Sequence, residues 1–315
     1  MRALVLLASK IGPASVPVLI SGETGVGKEV VAELIHAYSE RREKPMVCIN
    51  CAGLPDELIE SELFGSAKGA FTGSTNRIGL LASAAGSTVL LDELSEMPLH
   101  LQSKLLRFLQ DMIVRPVGRT ASQRIDVRVI AAINREPSLC VREKHLREDL
   151  YYRLSTIMIT VPPLRLRLED ILPLASAYIA YYADLLKRPA LTLSESAKAA
   201  LKTYHWPGNV RQLQNEMNRC MLLSDGGEIL PSQLGFFNEY ASTEQLGVPA
   251  KELSILERTV AQTVVDTLTA CKWNKAKAAK MLGISRQKMY NEIARYDIKT
   301  PKKARAVAEP AHPQP

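Results

Sequence analysis

Between an apolar stretch at 17–21 and a helical stretch at 29–40 lie seven residues, Gly22-Glu23-Thr24-Gly25-Val26-Gly27-Lys28. No other part of the sequence restricts the fold so tightly. Three glycines in six positions permit a turn that side chains would block, and the turn joins a strand to a helix. Its backbone N–H groups can face inward, and the positive end of the following helix adds to their field. The spacing is that of a P-loop, so Gly22, Glu23, Thr24, Gly25, Val26, Gly27, Lys28 and Glu29 are candidates to surround phosphates, with Lys28 as a point charge. A glycine-rich turn without a ligand is the alternative; the strand–loop–helix context and Lys28 argue against it. Glu29 stands where the motif usually places a Ser or Thr that holds Mg²⁺.

A P-loop implies strands and helices in alternation, and residues 16–162 alternate in that way. Strand candidates fall at 17–21, 46–50, 88–91, 126–133 and 156–161, with helical stretches such as 29–40 and 99–110 between them. The pattern predicts an α/β fold with a mostly parallel sheet over 1–162. Pro162-Pro163 closes the region. From 170 to about 234 the periodicity is helical with no strand signal, which predicts a helical lid over 163–235. Residues 236–250 read as a linker, 251–299 as a compact all-α unit and 300–315 as a disordered tail.

At 88–93 an apolar strand ends in two carboxylates, Asp92 and Glu93. Alone, this is a strand meeting solvent. Beside a P-loop it predicts that Asp92 holds Mg²⁺ through water and that Glu93 orients and polarises an attacking water. The reaction class that follows is hydrolysis of a nucleoside triphosphate such as ATP. Charge building on the transferring phosphoryl group needs a cationic clamp. Arg147, Arg153 and Arg211 are the candidates; surface arginines paired with Glu148 or Asp149 are the alternative, and spacing does not choose.

The net charge of +7 is placed unevenly. Residues 251–315 carry 13 Lys plus Arg and 6 Asp plus Glu, so the first 250 residues are neutral. A basic terminal module on a neutral body suits a polyanion partner, with a solvated basic tail as the bland reading. Apolar residues at 46% and charged residues at 23% exclude wholesale disorder, and no apolar run approaches membrane-spanning length. The start, Met1-Arg2 with Ala3 to Ala8, imitates a signal peptide faintly but is read as the first helix of a cytoplasmic protein. Cys48 and Cys51 form a C-x-x-C pair without a second ligand pair, so all five cysteines are expected to be reduced and structural.

Several blocks together resemble the AAA+ ATPase of bacterial enhancer-binding proteins, the activators of sigma-54 RNA polymerase. They are the P-loop, Glu62-Leu63-Phe64-Gly65, Gly69-Ala70-Phe71-Thr72-Gly73-Ser74, Leu90-Leu91-Asp92-Glu93, Arg147 to Arg153, and Trp206-Pro207-Gly208-Asn209-Val210-Arg211. The resemblance runs from Val16 to Ile298. It implies that Lys28-Glu29 is the family's usual ending, that Asn50 pairs with the catalytic Glu93, and that Asn134 senses the γ-phosphate. It further implies that Arg147 and Arg153 act in trans on a neighbouring subunit, that Arg211 is the lid sensor, and that the ring is a hexamer. Three departures stand out: Ser74 in place of an alanine, Ile133 in place of a Thr or Ser, and a start unusually close to the P-loop. No receiver or ligand-sensing pattern precedes the P-loop, so control is expected to act in trans or from sequence beyond these residues.

The Gly69–Ser74 segment also has a direct reading. Glycines at 65, 69 and 73 permit a tight hairpin with Phe71 and Thr72 at its tip. An aromatic at such a tip suits a partner protein, Phe71 in the core being the alternative; the resemblance makes that partner the sigma factor. A second hairpin is expected around Arg115-Pro116-Val117-Gly118-Arg119. At the C-terminus, Leu253, Leu256, Val260, Val264 and Leu268 form an apolar stripe. A short helix at 274–281, a turn at Gly283 and a helix from Ser285 follow, which resembles the Fis-type helix-turn-helix. Ser285, Arg286, Gln287, Lys288 and Asn291 then belong to the recognition helix, and Lys275, Lys277 and Tyr290 suit phosphates. The expected protein is an ATP-driven activator that binds upstream enhancer DNA as a dimer and opens sigma-54 promoter complexes. The alternative is a DNA-binding repressor or accessory regulator whose ATPase body no longer engages sigma-54.

Overall fold

A computed structural model describes residues 2–52, 55–69, 76–224 and 226–236, and towards the C-terminus 264, 267, 268, 271, 273–281 and 289. The chain divides into two compact units, Met1–Glu228 and Ile229–Pro315. In the first, helix α1 (Arg2–Ile11) leads into β1 (Val18–Ser21), α2 (Lys28–Ala37), β2 (Val47–Asn50) and α3 (Asp56–Phe64). Short strands β3 (Gly65–Ser66) and β4 (Arg77–Ile78) precede α4 (Leu80–Ser83), β5 (Thr88–Asp92) and α5 (Leu99–Asp111). Then come β6 (Ile113–Val114), β7 (Gln123–Arg124), β8 (Arg128–Ile133), α6 (Pro137–Arg142), α7 (Glu148–Leu154) and β9 (Ile157–Thr160).

Five strands form one sheet in the order β2-β5-β8-β1-β9, and every pairing within it is parallel. A parallel sheet is covered on both faces, so its strands read as unbroken apolar runs. All six residues of β8 are buried. Successive side chains divide between two cores. Leu19, Leu91, Ala131 and Ile133 pack with Leu63, Phe108 and Leu150, whereas Val18, Ile20, Leu90 and Ile130 pack with Ala8, Val31 and Ile35. The second core is tied to α1 by Arg128, 2% exposed, whose guanidinium donates to the carbonyls of Gly12 (2.5 Å) and Ile11 (3.0 Å). A cation at a helix C-terminus is well placed against the helix dipole.

Residues beyond Pro163 form the lid: α8 (Leu168–Leu186), β10 (Thr192–Leu193), α9 (Glu195–Thr203) and α10 (Asn209–Leu223). A further strand, β11, covers Glu228–Ile229. The strand-free reading of 170–234 is thereby corrected, since two-residue strands are too short to carry a period. In the second unit α11 covers Lys275–Met281, with Asn274 accepting from the Lys277 N–H at its start (3.1 Å). Val264, Leu268, Ala278, Ala279 and Met289 are buried there, and Lys277 is exposed.

Candidate functional site

Strand β1 delivers the chain into the glycine turn, and α2 starts at Lys28 directly behind it. Gly25 (φ 77°) and Gly27 (φ 97°) have the left-handed backbone that side chains disfavour. At Gly25 space is also limiting, because a Cβ would lie 2.5 Å from the carbonyl oxygen of Gly208 in the lid. Lys28 is 7% exposed, and its ammonium donates to the carbonyls of Gly22 (2.8 Å) and Glu23 (3.1 Å) and to Oδ1 of Asn134 (2.5 Å). Burial pushes the Lys28 pKa below its ordinary value, against the pull of Asp92 and Glu93 and with a smaller push from Arg211.

Asp92 ends β5, and its Oδ1 accepts from the Glu93 N–H (2.9 Å). Glu93 has a left-handed backbone, φ 54° and ψ 40°, and its Oε1 accepts from Nδ2 of Asn134 (2.9 Å). Asn134 therefore joins the lysine to the carboxylate. Asn50 does not: its Oδ1 accepts from the Ala52 N–H (2.7 Å), and no hydrogen bond joins it to Glu93 among the described residues. Strand β5 lies between β2 and β8, and the Glu93 carboxylate meets Asn134 just beyond the end of β8. Ile133 is fully buried in the apolar core next to this site.

The three arginines separate. Arg211 is exposed; its backbone N–H reaches the Gly25 carbonyl (3.3 Å), and its charge is felt at Lys28. Arg147 forms a two-pronged pair with Asp149 (3.0 and 2.7 Å), which holds the Asp149 carboxyl below its ordinary range. Arg153 donates to the Leu109 carbonyl (2.8 Å). Among the described residues neither Arg147 nor Arg153 bonds to Lys28, Asp92 or Glu93. Arg153 lies on α7 and Arg147 just before it.

Sequence reasoning missed the lid residues that hold the turn. Arg165 makes a two-pronged pair with Glu23 (2.8 and 2.6 Å), and Asn209 donates to the Glu23 carboxylate and to the Thr24 carbonyl, both at 3.1 Å. Arg167 donates to the Val26 carbonyl (2.7 Å). The available signal was slight: two arginines alternating with leucines after Pro163, and an asparagine inside 206–211.

The Gly69–Ser74 segment leaves a hairpin base in which Gly65 pairs with Ile78 and Ser66 with Arg77, braced by a Glu62–Arg77 ion pair. Gly69 is exposed; Ala70, Phe71, Thr72, Gly73 and Ser74 lie outside the described residues. The second hairpin is present as β6 and β7, and Val117 within it exchanges backbone hydrogen bonds with Ala67 and Gly65 (both 2.9 Å). Of the DNA-contact candidates, Lys275 and Lys277 are on α11, whereas Ser285, Arg286, Gln287, Lys288, Tyr290 and Asn291 lie outside the described residues. The five cysteines are free, Cys48 exposed and the others buried. Among the described residues no helix is long and apolar enough to cross a membrane.

A parallel sheet, a glycine turn ending in a buried lysine, paired carboxylates at the end of β5 and a helical lid over the turn define an AAA+ P-loop NTPase fold. Residues 1–160 match the family described as Sigma-54 interaction domain, 165–247 the AAA+ ATPase lid domain, and 261–296 the Fis family of bacterial regulatory proteins. The transcriptional regulatory protein FlbD of Caulobacter vibrioides is 38% identical over 311 residues, covering 94% of this chain and 68% of its own. The regulatory protein LuxO of Vibrio cholerae is 39% identical over 316 residues, covering 96% and 69%. The crystal structure of NtrX from Brucella abortus in complex with ATP superposes with a TM-score of 0.72 at 30% identity, covering 95% of this chain and 68% of that one. This chain belongs to the sigma-54 interaction-domain family and is a sigma-54-dependent transcriptional regulator with an ATPase domain and a Fis-type helix-turn-helix.

Proposed function

We propose that the chain hydrolyses ATP and uses the energy to move the Gly69–Ser74 loop against sigma-54, opening promoters from an enhancer-bound position in the cytoplasm. Residues 1–162 and 163–235 act as ATPase and lid, 236–250 as linker, 251–299 as DNA-binding unit and 300–315 as tail. The observation that carries this reading is the hydrogen-bonded line Lys28–Asn134–Glu93, which puts a phosphate-seeking cation and a water-orienting carboxylate on one asparagine.

In this reading Lys28 exchanges carbonyl partners for phosphate oxygens, and Arg211 adds charge from the lid. Glu93 orients a water and takes up its proton at the carboxylate as the water attacks the terminal phosphorus and the bond to the bridging oxygen breaks, leaving ADP and inorganic phosphate. Asn134 detects the terminal phosphate while touching Glu93, so nucleotide state reaches the catalytic carboxylate directly. Among the described residues no group of three His, Cys, Asp or Glu is set to hold a metal. The carboxylate of Asp92 at the end of β5 would hold Mg²⁺ through water, which suits an ion that keeps several waters and leans on phosphates. When bound, Mg²⁺ supplies charge neutralisation on the phosphates. Arg147 and Arg153 serve the neighbouring subunit's nucleotide in a head-to-tail hexamer, and this requires Arg147 to leave Asp149. Dimers contact DNA through 251–299, with Lys275 and Lys277 on phosphates and Arg286, Gln287, Lys288 and Asn291 at base edges.

The test is open-complex formation on a sigma-54 promoter, read by permanganate footprinting alongside ATP turnover. Wild-type protein opens the promoter only with hydrolysable ATP. Phe71→Ala retains turnover and loses opening. Wild-type protein that turns over ATP and never opens the promoter overturns the remodelling role and leaves a DNA-binding regulator.

A further inference from the structure

We propose that Arg165 and Asn209 are positioning residues that clasp the lid to the P-loop through Glu23 and so set how long a nucleotide is retained. The inference rests on the reading of 22–28 as a nucleotide site. In a phosphate-binding turn the N–H groups converge on the concave side, and the carbonyls point away on the convex side. Here the lid occupies that convex side. Thr24 accepts from Asn209, Gly25 from the N–H groups of Val210 (2.9 Å) and Arg211 (3.3 Å), and Val26 from Arg167. Three consecutive carbonyls of the turn are thus held by the lid, and in each planar trans peptide the N–H of the following residue points opposite to the held carbonyl.

Glu23 fastens this contact by its side chain. Its carboxylate takes both prongs of the Arg165 guanidinium and the Asn209 amide, from residues 142 and 186 positions away in the sequence. A two-pronged charged pair fixes orientation as well as distance, which a lysine in place of Arg165 would not reproduce. Asn209 is fully buried and serves both sides of the junction: its Oδ1 accepts from the Leu164 N–H (2.8 Å) while its Nδ2 donates to Glu23 and Thr24. Its left-handed backbone, φ 52°, is one that asparagine tolerates. At Gly25 the lid comes so close that a Cβ would meet it. Lifting the lid therefore means breaking the Glu23 contacts, and with them the hold on the turn.

The experiment measures release of a fluorescent ADP analogue from the full chain by stopped flow, with kcat and KM for ATP on the same preparations. The Arg165–Glu23 pair is half exposed, so Arg165→Ala speeds release about fivefold. KM rises with it, and kcat at saturating ATP changes less than about twofold. Arg165→Lys falls between. Asn209→Asp keeps the acceptor for Leu164 but faces Glu23 with a second carboxylate, and it speeds release about tenfold. Raising the salt concentration speeds release more in wild type than in Arg165→Ala. Release that is unchanged in Arg165→Ala, or a fall in kcat with unchanged release, overturns the clasp alone. Wild-type protein that takes up no nucleotide overturns the nucleotide site and the clasp together.

Discussion

Replacing Asn134 by alanine removes one side chain that touches two charged groups, and the geometry separates the consequences. Its amide nitrogen donates to Glu93 at 2.9 Å and its amide oxygen accepts from Lys28 at 2.5 Å. A hydrogen bond to a charged group contributes about 1.5–3 kcal/mol. Where such a group faces charge that builds only in the transition state, its loss appears in kcat as about 2.7 kcal/mol, or about 100-fold. ADP lacks the terminal phosphate, so its affinity is expected to change by less than about threefold. The assay is single-turnover ATP hydrolysis with a parallel ADP titration, run on Asn134→Ala, Glu93→Gln and the double variant. If Asn134 acts through Glu93, the double variant is at most about threefold slower than Glu93→Gln alone. Asn50→Ala, which removes no Glu93 partner here, should combine additively with Glu93→Gln. Full additivity for Asn134 refutes the link, and an ADP affinity that falls in step with kcat means that the asparagine serves Lys28 instead.

Lys28→Ala is expected to abolish nucleotide binding, because the only buried ammonium of the turn goes with it; ADP retained within about tenfold of wild type in calorimetry would count against the P-loop assignment. Arg128→Met removes the charged donors from the Ile11 and Gly12 carbonyls, and about 2–3 kcal/mol of local stability should be lost at α1, seen as faster amide hydrogen exchange in 2–11 with little change in β8. Burial pushes the Cys51 thiol up from 9.0 to about 12, so its contribution to stability is complete below pH 9 and is lost as pH rises towards 12. Iodoacetamide at pH 8.5 should accordingly spare Cys51 in the folded protein and label it on unfolding, as mass spectrometry of the peptides would show. In the DNA-binding unit, Arg286→Ala should relax sequence preference in selections from random DNA, whereas Lys277→Ala should weaken all sequences alike and reduce the salt slope by about one.

What could be read in advance and what could not follows from how each contact is made. The inner strands β5, β8 and β1 were legible because burial on both faces leaves unbroken apolar runs, and the glycine turn was legible because its dihedrals exclude side chains. Thr192–Leu193 was not, since a two-residue strand has no period to detect. The clasp was invisible for another reason: Glu23, Arg165 and Asn209 meet across 142 and 186 positions, and no local pattern encodes such a meeting. The partner of Glu93 is the most instructive case. Strand β5 lies between β2 and β8, and each of those neighbours ends at an asparagine, Asn50 on one side and Asn134 just beyond the other. Spacing alone presents both as partners for a carboxylate at the end of β5. In the structure Glu93, with φ 54°, accepts from Asn134, and Asn50 accepts from the Ala52 N–H. Because Asn134 also accepts from Lys28, its one side chain connects Glu93 to the phosphate-binding loop across three segments far apart in sequence.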